Sequence, residues 1–180
     1  GSAINGAWWI QGMNDVEKVI MSKFNDSWDG SAATETFEGR GGDDATRSLG
    51  GHDTVLGGDG NDQVNGGEGN DSVDGGAGFD WLYFTGATEK VEANLSRGKA
   101  SGLGKDVFLN IEAMSGGSGG DQLIGDDEDN GLAGQMGDDV IDGRSGIDTI
   151  YYNSVAAGHV IHLGAGTSTG ALGSDRFFNI

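Results

Sequence analysis

GGDGNDQVN (57–65), GGEGNDSVD (66–74) and GGAGFDWLY (75–83) stand end to end in one frame, G-G-x-G-x-D-x-U-x, with U a large apolar residue. Asp44, Asp53, Asp62, Asp71 and Asp80 fall nine residues apart, and counting further back by nines reaches Glu35 and Asp26. Two places after each acidic residue stand Trp28, Phe37, Thr46, Val55, Val64, Val73 and Leu82, six of the seven large and apolar. A flexible Gly/Asp linker has no reason to hold an apolar phase through seven repeats. Each nonapeptide reads as a glycine-rich acidic turn followed by a short strand with one buried side chain.

Composition alone points away from folding. The chain of 180 residues carries 29 acidic against 10 basic side chains, a net charge of −19, and 37 glycines with no proline. Its apolar content is 35%, below the roughly 45–50% of an ordinary globular domain. So little apolar surface does not offset backbone entropy and self-repulsion unaided. A folded state therefore needs cations on the acidic turns. There is no cysteine to form a disulfide staple. No apolar run is long enough for a membrane span. The acidic balance excludes a nucleic-acid partner, whose phosphates require a basic face.

The repeats organise the chain into five segments. Residues 21–83 form seven nonapeptides, the first two with Ser22, Phe24, Ser31 and Ala33 in place of glycines. Residues 116–151 form four more, with Asp121, Asn130, Asp139 and Asp148 at position six and Leu123, Leu132, Ile141 and Ile150 at the buried position. Between them, 84–115 is an inserted β block expected to continue the solenoid. Val91, Ala93 and Leu95 share one strand face there, as do Val107, Leu109 and Ile111. Residues 152–180 begin a further insert. Tyr151, Leu163 and Gly166 follow Tyr83, Leu95 and Gly98 by 68 residues, and Asp175, Asn179 and Ile180 follow Asp106, Asn110 and Ile111 by 69. Residues 1–20 read as the tail of a preceding insert. The whole reads as a piece of a longer tandem array whose neighbouring repeats are its partners.

The spacing has a metal chemistry. Glycines at positions one, two and four allow positive φ and turn carbonyls inward. Nine residues make one turn and one strand, so successive turns fall on opposite edges of a flattened roll. Repeats n and n+2 then stack about 4.8 Å apart. An ion between them meets carboxylates and carbonyls from both turns, the six to eight hard oxygens that calcium takes. The predicted pairs are Asp44/Asp62, Asp53/Asp71, Asp62/Asp80 and Asp121/Asp139, with weaker Asp26/Asp44, Glu35/Asp53 and Asn130/Asp148.

These motifs resemble the RTX, or hemolysin-type, calcium-binding nonapeptide repeats, which implies an all-β, calcium-bound parallel β-roll with the inserts as wider rungs. The resemblance also implies a ligand scheme in which the earlier turn gives carbonyls two and four, the later turn carbonyls one and three, and each turn its Asp. For Asp44/Asp62 these carbonyls are Arg40, Gly42, Gly57 and Asp59. For Asp53/Asp71 they are Leu49, Gly51, Gly66 and Glu68; for Asp62/Asp80, Gly58, Gly60, Gly75 and Ala77; for Asp121/Asp139, Gly117, Gly119, Gly134 and Met136. Asp148 belongs to the Asn130 pair, whose neutral Asn weakens it.

Competing motifs fail on detail. Asp126-x-Glu128-x-Asn130-Gly131 opens like an EF-hand, but its twelfth position is Gly137. Gly116-x-Ser118-x-Gly120 lies in a repeat turn, with no strand-to-helix elbow for a nucleophile. His52 points outward from a turn and reads as solvated, and His159 and His162 lie on opposite faces of a strand. Trp8-Trp9 read as packing residues and Trp28 as core, while Trp81 beside Tyr83 is a candidate contact for the insert.

No catalytic constellation emerges, so the chain reads as non-enzymatic. The resemblance implies a calcium-binding structural module of a large secreted or cell-surface protein of a Gram-negative bacterium, of adhesin, S-layer or matrix type. The alternative is the calcium-binding C-terminal region of a secreted hydrolase, lyase or epimerase whose catalytic domain lies elsewhere. A surface or polysaccharide ligand is left open; the mixed outward positions do not make an ice-binding array.

Overall fold

A computed structural model describes residues 16–152 and 158–180. Trp8-Trp9 and most of the expected leading insert tail lie outside the described residues. Among the described residues every regular element is a short strand apart from two single 3-10 turns. In chain order the strands are β1 (Lys18–Ile20), β2 (Ser27–Ser31), β3 (Thr36–Gly41), β4 (Ala45–Gly51), β5 (Thr54–Asp59), β6 (Gln63–Asn65), β7 (Glu68–Gly69), β8 (Ser72–Ala77) and β9 (Trp81–Tyr83). The insert carries β10 (Glu92–Asn94), β11 (Lys99–Ser101), β12 (Lys105–Leu109) and β13 (Ala113–Ser115). Beyond it come β14 (Gln122–Ile124), β15 (Gly131–Ala133), β16 (Val140–Asp142), β17 (Thr149–Ile150), β18 (His159–His162), β19 (Thr167–Gly170) and β20 (Arg176–Phe178).

The chain divides into two compact units, one of residues up to 83 with 103–111, the other of 84–102 with 112–180. The first unit is a parallel β-roll. One sheet runs β1-β3-β5-β8-β12 and the facing sheet β2-β4-β6-β9, so consecutive repeats alternate between sheets. The register steps by two repeats, with Phe37 beside Val55 and Val55 beside Val73. Trp28, Thr46 and Val64 align in the same way on the facing sheet. These buried positions form two columns between the sheets, and Trp28 stacks on Phe37 across them at 5.4 Å. Thr46 places a buried hydroxyl in the column with no hydrogen-bond partner. One large side chain per nine residues is a thin core, and the turns must supply the remaining cohesion.

The second unit repeats the scheme. β10, β14, β16 and β20 pair in parallel, aligning Ala93, Leu123, Ile141 and Phe177. β13, β15 and β17 form the facing sheet, with Met114 beside Leu132 and Leu132 beside Ile150. Two antiparallel hairpins interrupt it. β10–β11 turns through a 3-10 segment at Leu95–Arg97 closed by left-handed Gly98, and β18–β19 through Leu163–Ala165 closed by left-handed Gly166.

The insert strand β12 shows the face opposite to the expected one. Val107 and Leu109 are about half exposed, while Asp106 and Phe108 are buried. The reason lies in the pairing. Phe108 stands beside Val73 in the core column, so Asp106-Val107-Phe108 takes the D-x-U frame of a nonapeptide. Simple alternation assigns the apolar Val107 and Leu109 to the core, because it does not see that Asp106 belongs to the stack of turns.

Candidate metal centre

In the turns from Asp44 to Asp80, positions two and four take left-handed backbone. Arg40 has φ 78°, Gly42 102°, Leu49 72°, Gly51 131°, Gly58 115° and Gly60 138°. Arg40 and Leu49 hold this conformation despite their side chains, at a cost of order 1–2 kcal/mol each. Position one obeys a different rule from the expected one. Gly39, Gly57, Gly66 and Gly75 do not have positive φ. A Cβ on Gly57 would collide with Asp62 Oδ2 and the Gly75 carbonyl oxygen, and one on Gly39 with Asp44 Oδ2 and the Gly57 carbonyl oxygen. At Gly39 and Gly57 the absence of a side chain opens a cleft into which a carboxylate oxygen and the next turn's carbonyl both point.

The two carboxylate oxygens of each turn have separate roles. Oδ1 accepts the backbone N–H of the acidic residue two repeats earlier. Asp26 donates to Asp44, Asp44 to Asp62 and Asp62 to Asp80 at 2.7–2.8 Å, and Glu35 and Asp53 donate to Asp53 and Asp71 on the other edge. Oδ2 of Asp44, Asp53, Asp62 and Asp71 is buried and accepts no hydrogen bond from the chain. Leaving a charged oxygen so placed is costly. Burial accordingly pushes the carboxyls of Asp44, Asp53 and Asp80 up to about 6 from 3.8, opposed by the backbone N–H bonds and, at Asp44, reinforced by Asp62, Asp26 and Asp43. Asp62 and Asp71 are raised for the same reason.

The surrounding oxygens fit a hard cation. A Cβ on Gly58 would meet the Arg40 carbonyl and one on Gly60 the Gly42 carbonyl, so each later turn lies directly against these carbonyls of the earlier one. The position-three carbonyls of Asp59 and Ala77 accept from Gly42 and Gly60 N–H at 2.8 Å, leaving a second lone pair on each. For Asp53/Asp71, β4 and β7 align Gly50 with Glu68 and Gly51 with Gly69. Position one there is Ser48, fully buried, with an Oγ that has no hydrogen-bond partner. Among the described residues no three His, Cys, Asp or Glu side chains converge. Each pair of turns offers two carboxylates with backbone carbonyls around them, the oxygen set of calcium.

Turns with degraded sequences close on themselves. Ser22 donates from both N and Oγ to Asp26 Oδ2 at 2.8 and 2.7 Å, and Ser31 donates its N–H to Glu35 Oε2 and its Oγ to Glu35 Oε1. Asn130 accepts from Asp126 N and donates its Nδ2 to Asp126 Oδ1. In each case the chain's own donors occupy the carboxylate or amide group that stays open in the glycine turns.

The second unit departs from the expected Asp121/Asp139 geometry. Gly117 and Gly119 do not take positive φ. Gly117 N–H donates to Asp121 Oδ2 at 2.6 Å, so this turn is closed like the serine turns. Segment 87–91 stacks beneath it, with Ser118 N donating to the Ala87 carbonyl and Val91 N to Asp121 Oδ1. The next turn on that edge is open. Gln135 and Gly137 have φ 73° and 116°, Asp139 Oδ2 has no hydrogen-bond partner, and burial raises the Asp139 carboxyl to about 7. Gly134 leaves the space beside Asp139, while the exposed Met136 donates its N–H to the Gly117 carbonyl at 3.4 Å. Asp148 accepts from Asn130 N at 2.9 Å and lies in an open turn with Arg144 and Gly146 at φ 75° and 111°.

Two acidic residues outside the repeats join the same ladders. Asp71 N donates to Asp106 Oδ1 and Asp139 N to Asp175 Oδ1, each at 3.1 Å. Their signal was present as D-x-U, Asp106-x-Phe108 and Asp175-x-Phe177, but 35 and 36 residues from the partner instead of 18. His52 also does more than meet solvent, since its Nδ1 accepts the Asn70 N–H at 2.9 Å. Trp81 stacks on Tyr83 at 5.6 Å.

Residues 48–82 and 115–150 match the RTX calcium-binding nonapeptide repeat, in four copies. No curated protein is a significant match to the chain.

Proposed function

Because the chain carries RTX calcium-binding nonapeptide repeats, we propose that it is a calcium-dependent structural module of a larger secreted or cell-surface bacterial protein of adhesin, S-layer or matrix type. Calcium binding and the β-roll are properties of the repeats. The ligand assignment and the biological setting are the proposal. The observation that carries it is the contrast between turns. Where positions two and four are left-handed, a buried Oδ2 has no partner and faces the cleft between stacked turns; where they are not, a donor from Ser22, Ser31, Gly117 or Asp126 fills the role. The open turns Asp44/Asp62, Asp53/Asp71 and Asp62/Asp80 hold the ions, with the carbonyls set out in the sequence analysis as ligands.

The module's role is to fold on export. Extracellular calcium modules bind at about 10⁻⁴–10⁻³ M, so at cytosolic calcium the acidic turns repel and the chain stays open. Outside, calcium binds the folded form alone and draws the equilibrium over by mass action. No helix among the described residues is long and apolar enough to cross a membrane. A calcium titration followed by far-UV circular dichroism tests the reading. It expects disordered chain in EDTA, β structure at millimolar calcium, and a midpoint between micromolar and low millimolar with a Hill coefficient above one. Identical spectra in EDTA and calcium, or a nanomolar midpoint, refute it.

A further inference from the structure

We propose that the inserts carry a second kind of calcium-binding half-turn, Leu103-Gly104-Lys105-Asp106 in the first unit and Leu172-Gly173-Ser174-Asp175 in the second, each completing an ion site on a repeat turn 35–36 residues upstream. The inference rests on the calcium reading of the repeats and extends it to residues outside every nonapeptide.

The first half-turn reproduces the stacking of two repeats. Gly69 N donates to the Leu103 carbonyl at 3.1 Å, the bond that Gly42 makes to Asp59 and Gly60 to Ala77. Gly69 and Gly104 form a parallel bridge, and Lys105 N donates to Asn70 Oδ1 at 2.9 Å, as Asn61 N does to Asp43. Asp71 N donates to Asp106 Oδ1, the acid-to-acid bond of the ladder. The earlier side is therefore an open turn, with Asp71 Oδ2 buried and without a partner. The later side supplies a position-three carbonyl and a buried carboxylate.

The second half-turn repeats this arrangement. Gly137 N donates to the Leu172 carbonyl at 2.7 Å, Ser174 N to Asp138 Oδ1 at 2.9 Å, and Asp139 N to Asp175 Oδ1 at 3.1 Å. Asp139 Oδ2 is again buried without a partner. Here Tyr152 Oη and Ser168 Oγ donate to Asp175 Oδ2 at 2.9 and 2.8 Å, which fixes the carboxylate and leaves Oδ1 on the ladder side. Four residues on, the two inserts still agree. Asn110 and Asn179 take φ 52° and 50°, and each donates its Nδ2 to a position-nine aspartate, Asp74 or Asp142, at 2.8 Å. The two segments, LGKDVFLNI (103–111) and LGSDRFFNI (172–180), are copies of one insert, and each donates and accepts the same ladder bonds against an open turn. The shared elements are the Leu carbonyl, the glycine that permits close approach, and the aspartate.

An ion there would staple a long insertion to the roll. The test counts ions by native mass spectrometry at saturating calcium on the whole chain and on the variants Asp106→Asn and Asp175→Asn, with exposed Lys99→Ala as the control. Asn keeps the oxygen that accepts the ladder N–H. Each Asn variant should bind one ion fewer than the unaltered chain, the double variant two fewer, and the control the same number. A crystal of the unaltered chain grown in calcium supplies a reading independent of variant folding, with anomalous density expected between Asp71 and Asp106. If the unaltered chain takes up no calcium, the repeat reading falls and this proposal with it. If it takes up calcium but both Asn variants keep the full ion number, or density appears at Asp44/Asp62 and not at Asp71/Asp106, this proposal alone is overturned.

Discussion

Replacing Asp44 with asparagine should change stability with a sign that depends on calcium. Asp44 Oδ1 accepts the Asp26 N–H, and Oδ2 lies buried and unpartnered beside Gly39 and the Gly57 carbonyl. Burial, then the neighbouring carboxylates, raises this group from 3.8 to about 6. At about 1.4 kcal/mol per pH unit, ionising it at neutral pH costs the calcium-free fold about 3 kcal/mol. The asparagine keeps the Oδ1 acceptor, removes the charge, and presents Nδ2 to the Gly57 carbonyl. The Asp44→Asn chain should therefore gain up to about 3 kcal/mol in EDTA. It should also lose the ion between Asp44 and Asp62. That ion is worth about 2.7 kcal/mol at 100 times its Kd and about 4.1 at 1,000 times. The two chains should thus become equal near 100-fold saturation, and the unaltered one should lead by about 1 kcal/mol at 1,000-fold. The assay is a folding titration with trimethylamine N-oxide in EDTA and a urea melt in calcium, read by the fluorescence of Trp28 in the core. Native mass spectrometry gives the ion count, and exposed Asp127→Asn is the control. A variant less stable than the unaltered chain in EDTA, or one with an unchanged ion number, would refute the claim that Oδ2 is held open for a cation.

Other outcomes follow from the same turns. In EDTA, lowering the pH should induce β structure: the folded carboxyls of Asp44, Asp53, Asp80 and Asp106 at about 6 and Asp139 at about 7 hold protons that the unfolded chain releases near 3.8. This contribution is fully present below 3.8 and is lost as pH rises through 6–7; circular dichroism against pH checks it, and in calcium the titration midpoint should move upward as pH falls through 6. Gly60→Ala should prevent the Asp44/Asp62 and Asp62/Asp80 sites from forming, because a Cβ at φ 138° collides with the Gly42 carbonyl; the ion count should drop by two. Arg40→Gly should raise stability in calcium by about 1 kcal/mol by relieving a left-handed residue, measured by urea denaturation. Ser22→Gly combined with Phe24→Gly should open the closed turn at Asp26 and add one ion.

The sequence carried the fold through two positions of the repeat, the acid and the apolar residue two places on. Together they set the strands, the alternation between sheets and the two-repeat register. The acids of the glycine turns, the proposed ligands, were legible as a stacked series for the same reason. Three features were hidden. Asp106 and Asp175 are ladder members whose distance from their partners is set by an intervening hairpin, so no fixed period reaches them. Val107 and Leu109 looked like core because alternation judges a strand by its apolar residues, and here the buried phase begins with an aspartate. Gly117 and Gly119 matched the open turn letter for letter, yet the turn is closed, because segment 87–91 and not another nonapeptide lies beneath it. At Asp121 the turn's conformation follows what it stacks on, which its own nine residues do not encode.

That dependence on the neighbour explains the order of turns along each edge. The first described turns of the first unit, at Asp26 and Glu35, are closed by serines, and the first repeat turns of the second, at Asp121 and Asn130, by Gly117 and Asp126. Open turns come after them in both units. In a closed turn the chain's own donors occupy the oxygen that an open turn leaves free, so each ladder starts on a rung that calcium does not have to make. Every later rung receives an N–H from the acid before it into Oδ1, and this orients the carboxylate so that Oδ2 faces the cleft. An open turn without its predecessor would lack that orienting bond, and its ion would have to meet the cost of ordering the loop as well as of binding. The proposed calcium sites on one edge would therefore be linked through backbone hydrogen bonds as well as through shared aspartates such as Asp62. Damage to a closed first turn should consequently weaken ions several repeats away. Ser31→Ala removes a hydroxyl from a turn that holds no ion in this scheme, and it should still raise the calcium concentration needed to fill Asp53/Asp71. Site-resolved hydrogen exchange across a calcium titration would read this shift at the Asp53 and Asp71 amides, with the Asp44 and Asp62 amides on the opposite edge as the internal reference. An equal shift on both edges would mean that Ser31 affects the unit as a whole and that the edge ladders do not transmit the coupling.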